Sequence, residues 1–184
     1  MNCLIIGGSK SGKSNIGEKI ALSLNKDKVI YIATMSPYDD EDKKRVEQHI
    51  INREGLNFIT LEQFRDLNET VKYINKEDTI LIDSITSLLI NEMFIKNDII
   101  KYPSLKIIND IKEIINTVKN VVIVSDYIFS DSIEYDEISE NYKRELGKIN
   151  KELADICDTV MECSFSNVKV HKGNELLTVL GKKG

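Results

Sequence analysis

The apolar run Cys3-Leu4-Ile5-Ile6 leads straight into Gly7-Gly8-Ser9-Lys10-Ser11-Gly12-Lys13-Ser14. After it, Ile16, Ile20 and Leu24 recur at helical spacing. A short buried strand, a glycine turn and an amphipathic helix are the expected elements. The octet satisfies G-x-x-x-x-G-K-[ST], and each residue type has a reason to be there. Gly7 and Gly12 permit backbone angles that turn successive N–H groups inward into an anion-binding nest. The helix that follows presents its positive end to the same point. Lys13 supplies a point charge for β- and γ-phosphates, and Ser14 supplies a hydroxyl ligand for Mg²⁺. A bare Gly/Ser-rich turn is the alternative, but the strand before it and the helix after it favour phosphate. The expected nucleotide-binding set therefore begins with Gly7, Gly8, Ser9, Lys10, Ser11, Gly12, Lys13 and Ser14.

Further apolar runs alternate with helical patterns along the 184 residues. Strands are expected at Val29–Thr34, in Asn57–Glu62, in Thr79–Asp83, in Asn120–Asp126 and in Thr159–Phe165. Helices are expected over Asp39–Arg53, along the amphipathic stretch containing Phe64, Leu67, Val71 and Ile74, and over Glu137–Asp158. The Ile-rich stretch from Ile85 to Val118 reads as two helices broken near Tyr102–Ser104, serving as a subunit interface or as a buried pair. A terminal hairpin is expected to turn at Lys172–Asn174. Near-continuous apolar strands imply a sheet covered on both faces. The expected fold is a single α/β domain over residues 1–184, a P-loop NTPase-like, mostly parallel sheet flanked by helices, with a C-terminal β-hairpin. Ligands in such sheets bind at the carboxyl ends of strands, where the glycine turn, Thr34 and Asp83 all fall.

A net charge of −5 argues against non-specific nucleic-acid binding. No stretch approaches the roughly 18 apolar residues of a membrane span. The three cysteines, Cys3, Cys157 and Cys163, have no metal-ligand spacing and read as reduced core residues. A reducing, cytoplasmic setting without a signal peptide is the expectation.

Two further constellations could carry chemistry. Asp83 ends an apolar strand, where a carboxylate orients Mg²⁺ or its water, or hydrogen-bonds a nucleotide; capping the next helix is the alternative. His49 has Arg45 four residues before it and Arg53 four after, so the three share one helical face. That face is either plain solvated surface or a nucleophile flanked by phosphate-holding arginines. Tyr31 reads as packing, His171 as surface, and Asp39–Asp42 as a solvated helix start.

The runs GGSKSGKS, VIYIATM, DDEDKKRVEQHIINR, FITLE and ILIDSITSLLIN, in that order, resemble the bifunctional adenosylcobinamide kinase/adenosylcobinamide-phosphate guanylyltransferase family of cobalamin biosynthesis. The resemblance covers about the first half of the chain. It implies that His49 is the guanylylated histidine and that Lys13 and Ser14 are the phosphate- and Mg²⁺-binding pair. It also implies that Thr34, Arg53, Glu62 and Asp83 line the nucleotide site, with Asp83 beside the metal. ATP and GTP would be substrates, adenosylcobinamide the acceptor, and the enzyme a homo-oligomer, as a trimer. No nucleic acid or membrane partner follows from it. Later the pattern shifts: SDYIFSDSIEYDE replaces a glycine-rich segment, and YKRELGKINKELA keeps Gly147, Asn150, Leu153 and Ala154 in register. The altered segment from Asp126 to Glu137 is expected to shape the acceptor pocket. A monofunctional small-molecule kinase and a nucleotide-dependent regulatory module are the rival readings.

Overall fold

A computed structural model describes residues 1–127, 135–165, 167–173 and 176; the side chains of Asp42, Arg45, His49 and Asn52 lie outside the described set. The elements run β1 (Asn2–Gly7), α1 (Lys13–Leu24), β2 (Val29–Ala33), α2 (Asp40–Arg53), β3 (Phe58–Glu62), β4 (Thr79–Asp83) and α3 (Ile85–Met93). They continue through β5 (Phe94–Ile95), β6 (Asp98–Ile99), α4 (Ser104–Thr117), β7 (Asn120–Asp126), α5 (Glu137–Ile156), β8 (Thr159–Ser164) and β9 (Asn167–Lys172). Seven strands form one sheet in the order β3-β2-β4-β7-β1-β8-β9, parallel throughout except for the antiparallel β8–β9 pair.

Alternation along each strand builds two cores. Ile80 and Ile82 of β4 face the cluster made with α3, α4 and α5, whereas Leu81 faces the cluster made with Ile16, Ile20 and Ala21 of α1. Both sheet faces are therefore dry, which is why the strands read as continuous apolar runs rather than alternating ones. The three cysteines are buried and free. No helix among the described residues is long and apolar enough to cross a membrane.

Two segments differ from the periodicity. Leu67–Tyr73 is a 3-10 helix, not the expected α-helix. Its buried residues Leu67 and Thr70 stand three apart, and a threefold turn eclipses positions at that spacing. Between α3 and α4 the chain inserts the short β5–β6 hairpin, with Lys96 in the left-handed region at φ +55°. The C-terminal hairpin is β8 with β9, turning after Ser164. The turn expected at Lys172–Asn174 runs into residues outside the described set.

The start of α4 shows how buried charge is managed. Pro103 at its N-cap makes no side-chain cap bond, and the carboxylate of Glu145 on α5 accepts from the Ser104 N–H at 3.1 Å instead. Glu145 is fully buried and also receives Lys148 Nζ at 2.6 Å. Burial alone would raise its pKa, but the Lys148 and Ser104 bonds outweigh it and hold the carboxyl below its ordinary 4.5. A depressed carboxylate stabilises the fold above its unfolded value and loses that contribution as pH falls through its folded value. Glu145→Ala should therefore lower the unfolding free energy by about 1–3 kcal/mol at neutral pH. In denaturant titrations the gap to the parent should close under acid conditions, below pH 4.5.

Candidate active site at the carboxyl edge of the sheet

Strand register lines up the expected residues along one edge. Gly7 is paired with Asp126 and Cys163, and Ala33 with Asp83 and Glu62. The turn after β1 is tightly held. A Cβ on Gly7 would stand 2.5 Å from Ser11 Oγ and 2.6 Å from the Cys163 carbonyl oxygen, so the loop can close against β8 only with glycine there. Gly12 takes φ +92° at the N-cap of α1, a conformation costly for any side chain. Ser11 donates its N–H to the Gly8 carbonyl, and its own carbonyl accepts from the Cys163 thiol at 3.1 Å. Ser9 and Lys10 at the tip are exposed, Lys10 at φ +56°, and Ser14 is half-buried in the first turn of α1. Ser11 Oγ is buried with no hydrogen-bond partner among the described residues.

Lys13 is the charge at the centre. Its Nζ lies 2.6 Å from Asp126 Oδ1 and donates to the Gly8 carbonyl at 3.2 Å. Asp126 closes β7, the strand between β1 and β4, and is gripped from two helices. The Thr86 hydroxyl of α3 donates to Asp126 Oδ2 at 2.6 Å, and Asn150 Nδ2 of α5 donates to the Asp126 carbonyl at 2.9 Å. Asn150 Oδ1 in turn accepts from the Ser125 hydroxyl. Asp83 is expected at this edge from the sequence, whereas Asp126 is not among the expected site residues. The signal was present, since NVVIVSD ends on a carboxylate just as TILID does.

A second cluster lies on the α1 face. Tyr31 of β2 donates its hydroxyl to Asp83 Oδ2 at 2.9 Å. The Arg53 guanidinium at the end of α2 stacks on the Tyr31 ring, 3.6 Å from its centroid, and Phe58 meets the same ring edge-on. Arg53 Nη1 approaches Glu18 Oε1 of α1 at 3.7 Å. Burial pushes the Glu18 carboxyl up, opposed by Arg53 and reinforced by Asp83. The Tyr31 phenol is likewise pushed up by burial and by Asp83. Tyr31 is therefore more than packing: it orients the carboxylate that the sequence had marked.

The remaining expected residues fall as follows. Thr34 is fully buried, donating to the Ser84 carbonyl at 2.7 Å and accepting the Ser84 N–H at 2.8 Å, so it ties β2 to the start of α3. Ser84, not Asp83, is the N-cap of α3. Glu62 is exposed at the end of the edge strand β3, four strand spacings or about 19 Å from β1. Arg53 is buried beneath α2 instead of standing open at the edge. His49 lies on α2 one turn before Arg53; the placement of its side chain, like that of Arg45, falls outside the described set.

Comparison with known proteins matches residues 3–166 to the family described as Cobinamide kinase / cobinamide phosphate guanyltransferase. The chain belongs to that family. Two curated relatives carry the name Bifunctional adenosylcobalamin biosynthesis protein CobU. The Escherichia coli K12 protein is 35% identical over 51% of this chain and 51% of its own length, so that match spans about half of the relative. The Salmonella typhimurium protein is 28% identical over 87% of this chain and 93% of its own length. In fold, the chain is similar to an ATPase of the type III secretion system of pathogenic bacteria, with TM-score 0.54 and 11% identity over 97% of this chain and 57% of that one. It is also similar to the ATP synthase subunit NeqB of Nanoarcheaum equitans, with TM-score 0.50 and 12% identity over 89% of this chain and 45% of that one. At such identities the likeness is one of fold, and the fold is that of P-loop NTPases.

The Lys13–Asp126 pair has a measurable consequence. Any phosphate that takes Lys13 must compete with a carboxylate already seated on it and approach that carboxylate's charge. Asp126→Asn removes the charge and keeps a hydrogen-bonding group of the same shape. Mg²⁺-nucleotide binding by calorimetry should tighten about three- to tenfold in this variant. Weaker binding would contradict this account of the pair.

Proposed function

We propose that the chain is a bifunctional nucleotide enzyme of cobalamin biosynthesis. As a kinase it transfers the γ-phosphoryl group of ATP or GTP to the hydroxyl of adenosylcobinamide. As a guanylyltransferase it passes GMP from GTP to adenosylcobinamide phosphate. The observation that carries this reading is the family match over residues 3–166, which spans both the glycine loop and the α2 segment. In the kinase step Lys13 and the N–H groups of the loop hold the phosphates as the acceptor oxygen bonds to the γ-phosphorus. The bond to the β-phosphate oxygen breaks, the nucleoside diphosphate leaves, and the hydroxyl proton passes to Asp126.

The donor set suits Mg²⁺. That ion takes one or two protein oxygens and completes its shell with phosphates and water. The Ser14 hydroxyl and the Asp83 carboxylate would hold it, and Asp83 commits one oxygen, Oδ2, to Tyr31. Bound there, the ion would neutralise charge on the phosphates.

In the transfer step the neutral His49 imidazole attacks the α-phosphorus of GTP. A P–N bond forms, the bond to the β-phosphate oxygen breaks, and pyrophosphate leaves. A phosphate oxygen of adenosylcobinamide phosphate then displaces the imidazole, giving adenosylcobinamide-GDP. The assembly is a homo-oligomer, a trimer by family resemblance. A kinase lacking the covalent step is the second reading, favoured by SDYIFSDSIEYDE standing where the family pattern is glycine-rich.

The two readings separate in one experiment. Incubation with GTP labelled at the α-phosphate should give a protein adduct that is stable to base and lost in acid, as a phosphoramidate is. His49→Ala should abolish the adduct while γ-phosphoryl transfer to adenosylcobinamide continues. Transfer without any adduct in the parent protein would select the kinase-only reading. An adduct that persists in the variant would remove His49 from the mechanism.

A further inference from the structure

A hollow of about 450 Å³ lies between the end of α3 and the first turns of α5, lined by Ile90, Phe94, Tyr135, Ile138, Ser139, Tyr142 and Lys143. Its walls are apolar and aromatic, and its rim is open. Ile90, Phe94, Tyr135 and Ile138 each keep two-fifths or more of their surface in water, at 45%, 40%, 42% and 42%. Four large apolar residues exposed around one concavity are more than scattered surface residues. Two polar groups of the lining are already engaged: Lys143 stands 3.2 Å from Glu140 Oε1 and 4.7 Å from the centre of the Tyr135 ring, and the Ser139 hydroxyl donates to Asp136 Oδ2 at 3.0 Å.

The hollow is built on the two helices that also reach Asp126. On α3, Thr86 donates to Asp126, and Ile90 stands one turn further along the same helix face. On α5, Asn150 holds the Asp126 carbonyl, and Tyr142 lies eight residues earlier, two turns towards the helix start. Tyr142 is near enough to Asp126 for that carboxylate to add to burial in pushing its phenol up to about 12. The same two helices that grip the partner of Lys13 thus also carry most of the walls of the hollow.

We propose that this hollow seats the apolar face of the phosphoryl acceptor, with the acceptor's hydroxyl or phosphate directed to Asp126 and Lys13. The inference rests on the bifunctional reading above and adds where its acceptor binds. The walls suit the apolar part of a bulky amphipathic alcohol, which the corrinoid of the bifunctional reading is. A sugar or other polyol would need hydrogen-bonding walls, and rejecting or accepting hydroxyls depends on such groups. Isoleucine, phenylalanine and tyrosine rings instead reward a flat apolar surface. The open rim lets a ligand larger than the hollow press one edge into it.

The test uses adenosylcobinamide as probe, followed by its corrin absorbance in equilibrium dialysis, with Mg²⁺-GTP binding measured in parallel by calorimetry. Ile90→Glu and Ile138→Glu place a charge in the hollow at positions already partly solvated, and Ile138→Ala removes contact without adding charge. The two glutamate variants should bind the corrinoid about tenfold more weakly or worse, and Ile138→Ala should fall between them and the parent. Nucleotide affinity should change less than about twofold in all three. Unchanged corrinoid affinity across the three variants would overturn the placement and leave the proposed activity intact. A parent protein that binds nucleotide but no corrinoid would overturn both.

Discussion

One carboxylate joins the parts of the site. Asp126 receives Lys13 from the glycine loop and Thr86 from α3, and its carbonyl receives Asn150 from α5. Because β7 lies between β1 and β4, these bonds are made at the middle of the sheet, where both faces are covered. The lysine is thereby held in place, and in the phosphate role proposed above little side-chain entropy would remain to be lost on binding. The same pairing sets a cost, since an incoming anion must separate the charges or share the lysine. Pre-organisation and competition come from a single contact.

The α1 face is held differently. Arg53 is almost fully buried, and its Nε and Nη1 find no hydrogen-bond partner among the described residues. A buried guanidinium with unmet donors is expensive unless other attractions offset it. Here the offsets are the Tyr31 ring, at stacking distance, and Glu18 at 3.7 Å, beyond hydrogen-bond range. Cation–π attraction depends on the ring face but not on a fixed donor–acceptor line. It anchors the end of α2 without the angular restriction a bidentate ion pair would impose. Tyr31 therefore serves two neighbours, with its ring under Arg53 and its hydroxyl on Asp83.

The fold was legible in the sequence because a parallel sheet between two helical layers leaves a plain pattern. Strands such as TILID and NVVIVSD have no polar alternation to misread, and the glycine octet fixes which end carries the loop. What escaped depends on contacts between segments distant in the chain. Leu67–Tyr73 has apolar residues that suit either a 3-10 or an α-helical turn, and only the adjacent core decides. Asp126 is one acidic residue at a strand end until β7 is placed beside β1, an ordering that no local pattern encodes. Arg53 reads as one of two arginines flanking His49 on a helical face. Its burial follows from Tyr31 and Glu18, 22 and 35 residues earlier in the numbering. The N-cap is Ser84 and not Asp83 because α3 begins at Ile85, and the Ser84 side chain accepts from the Ser87 N–H.

The two phosphorus reactions proposed above would pose a geometric problem that the strand order makes concrete. Lys13 and Asp126 sit at β1 and β7, whereas α2 is anchored over β2, three strand spacings or about 14 Å from β1. A nucleotide lying along the carboxyl edge would present its terminal phosphate to the lysine and its remaining atoms towards β2. Attack on the outer phosphorus and attack on the inner one would then be served from opposite ends of the edge by different elements. Both ends meet at Asp83 on β4, whose carboxylate is oriented by the same tyrosine that seats α2. Movement of α2 would have to lift Arg53 off that ring and away from Glu18. The end built around the lysine is thus held by short hydrogen bonds, and at the other end Arg53 is held by stacking and by an ion contact at 3.7 Å.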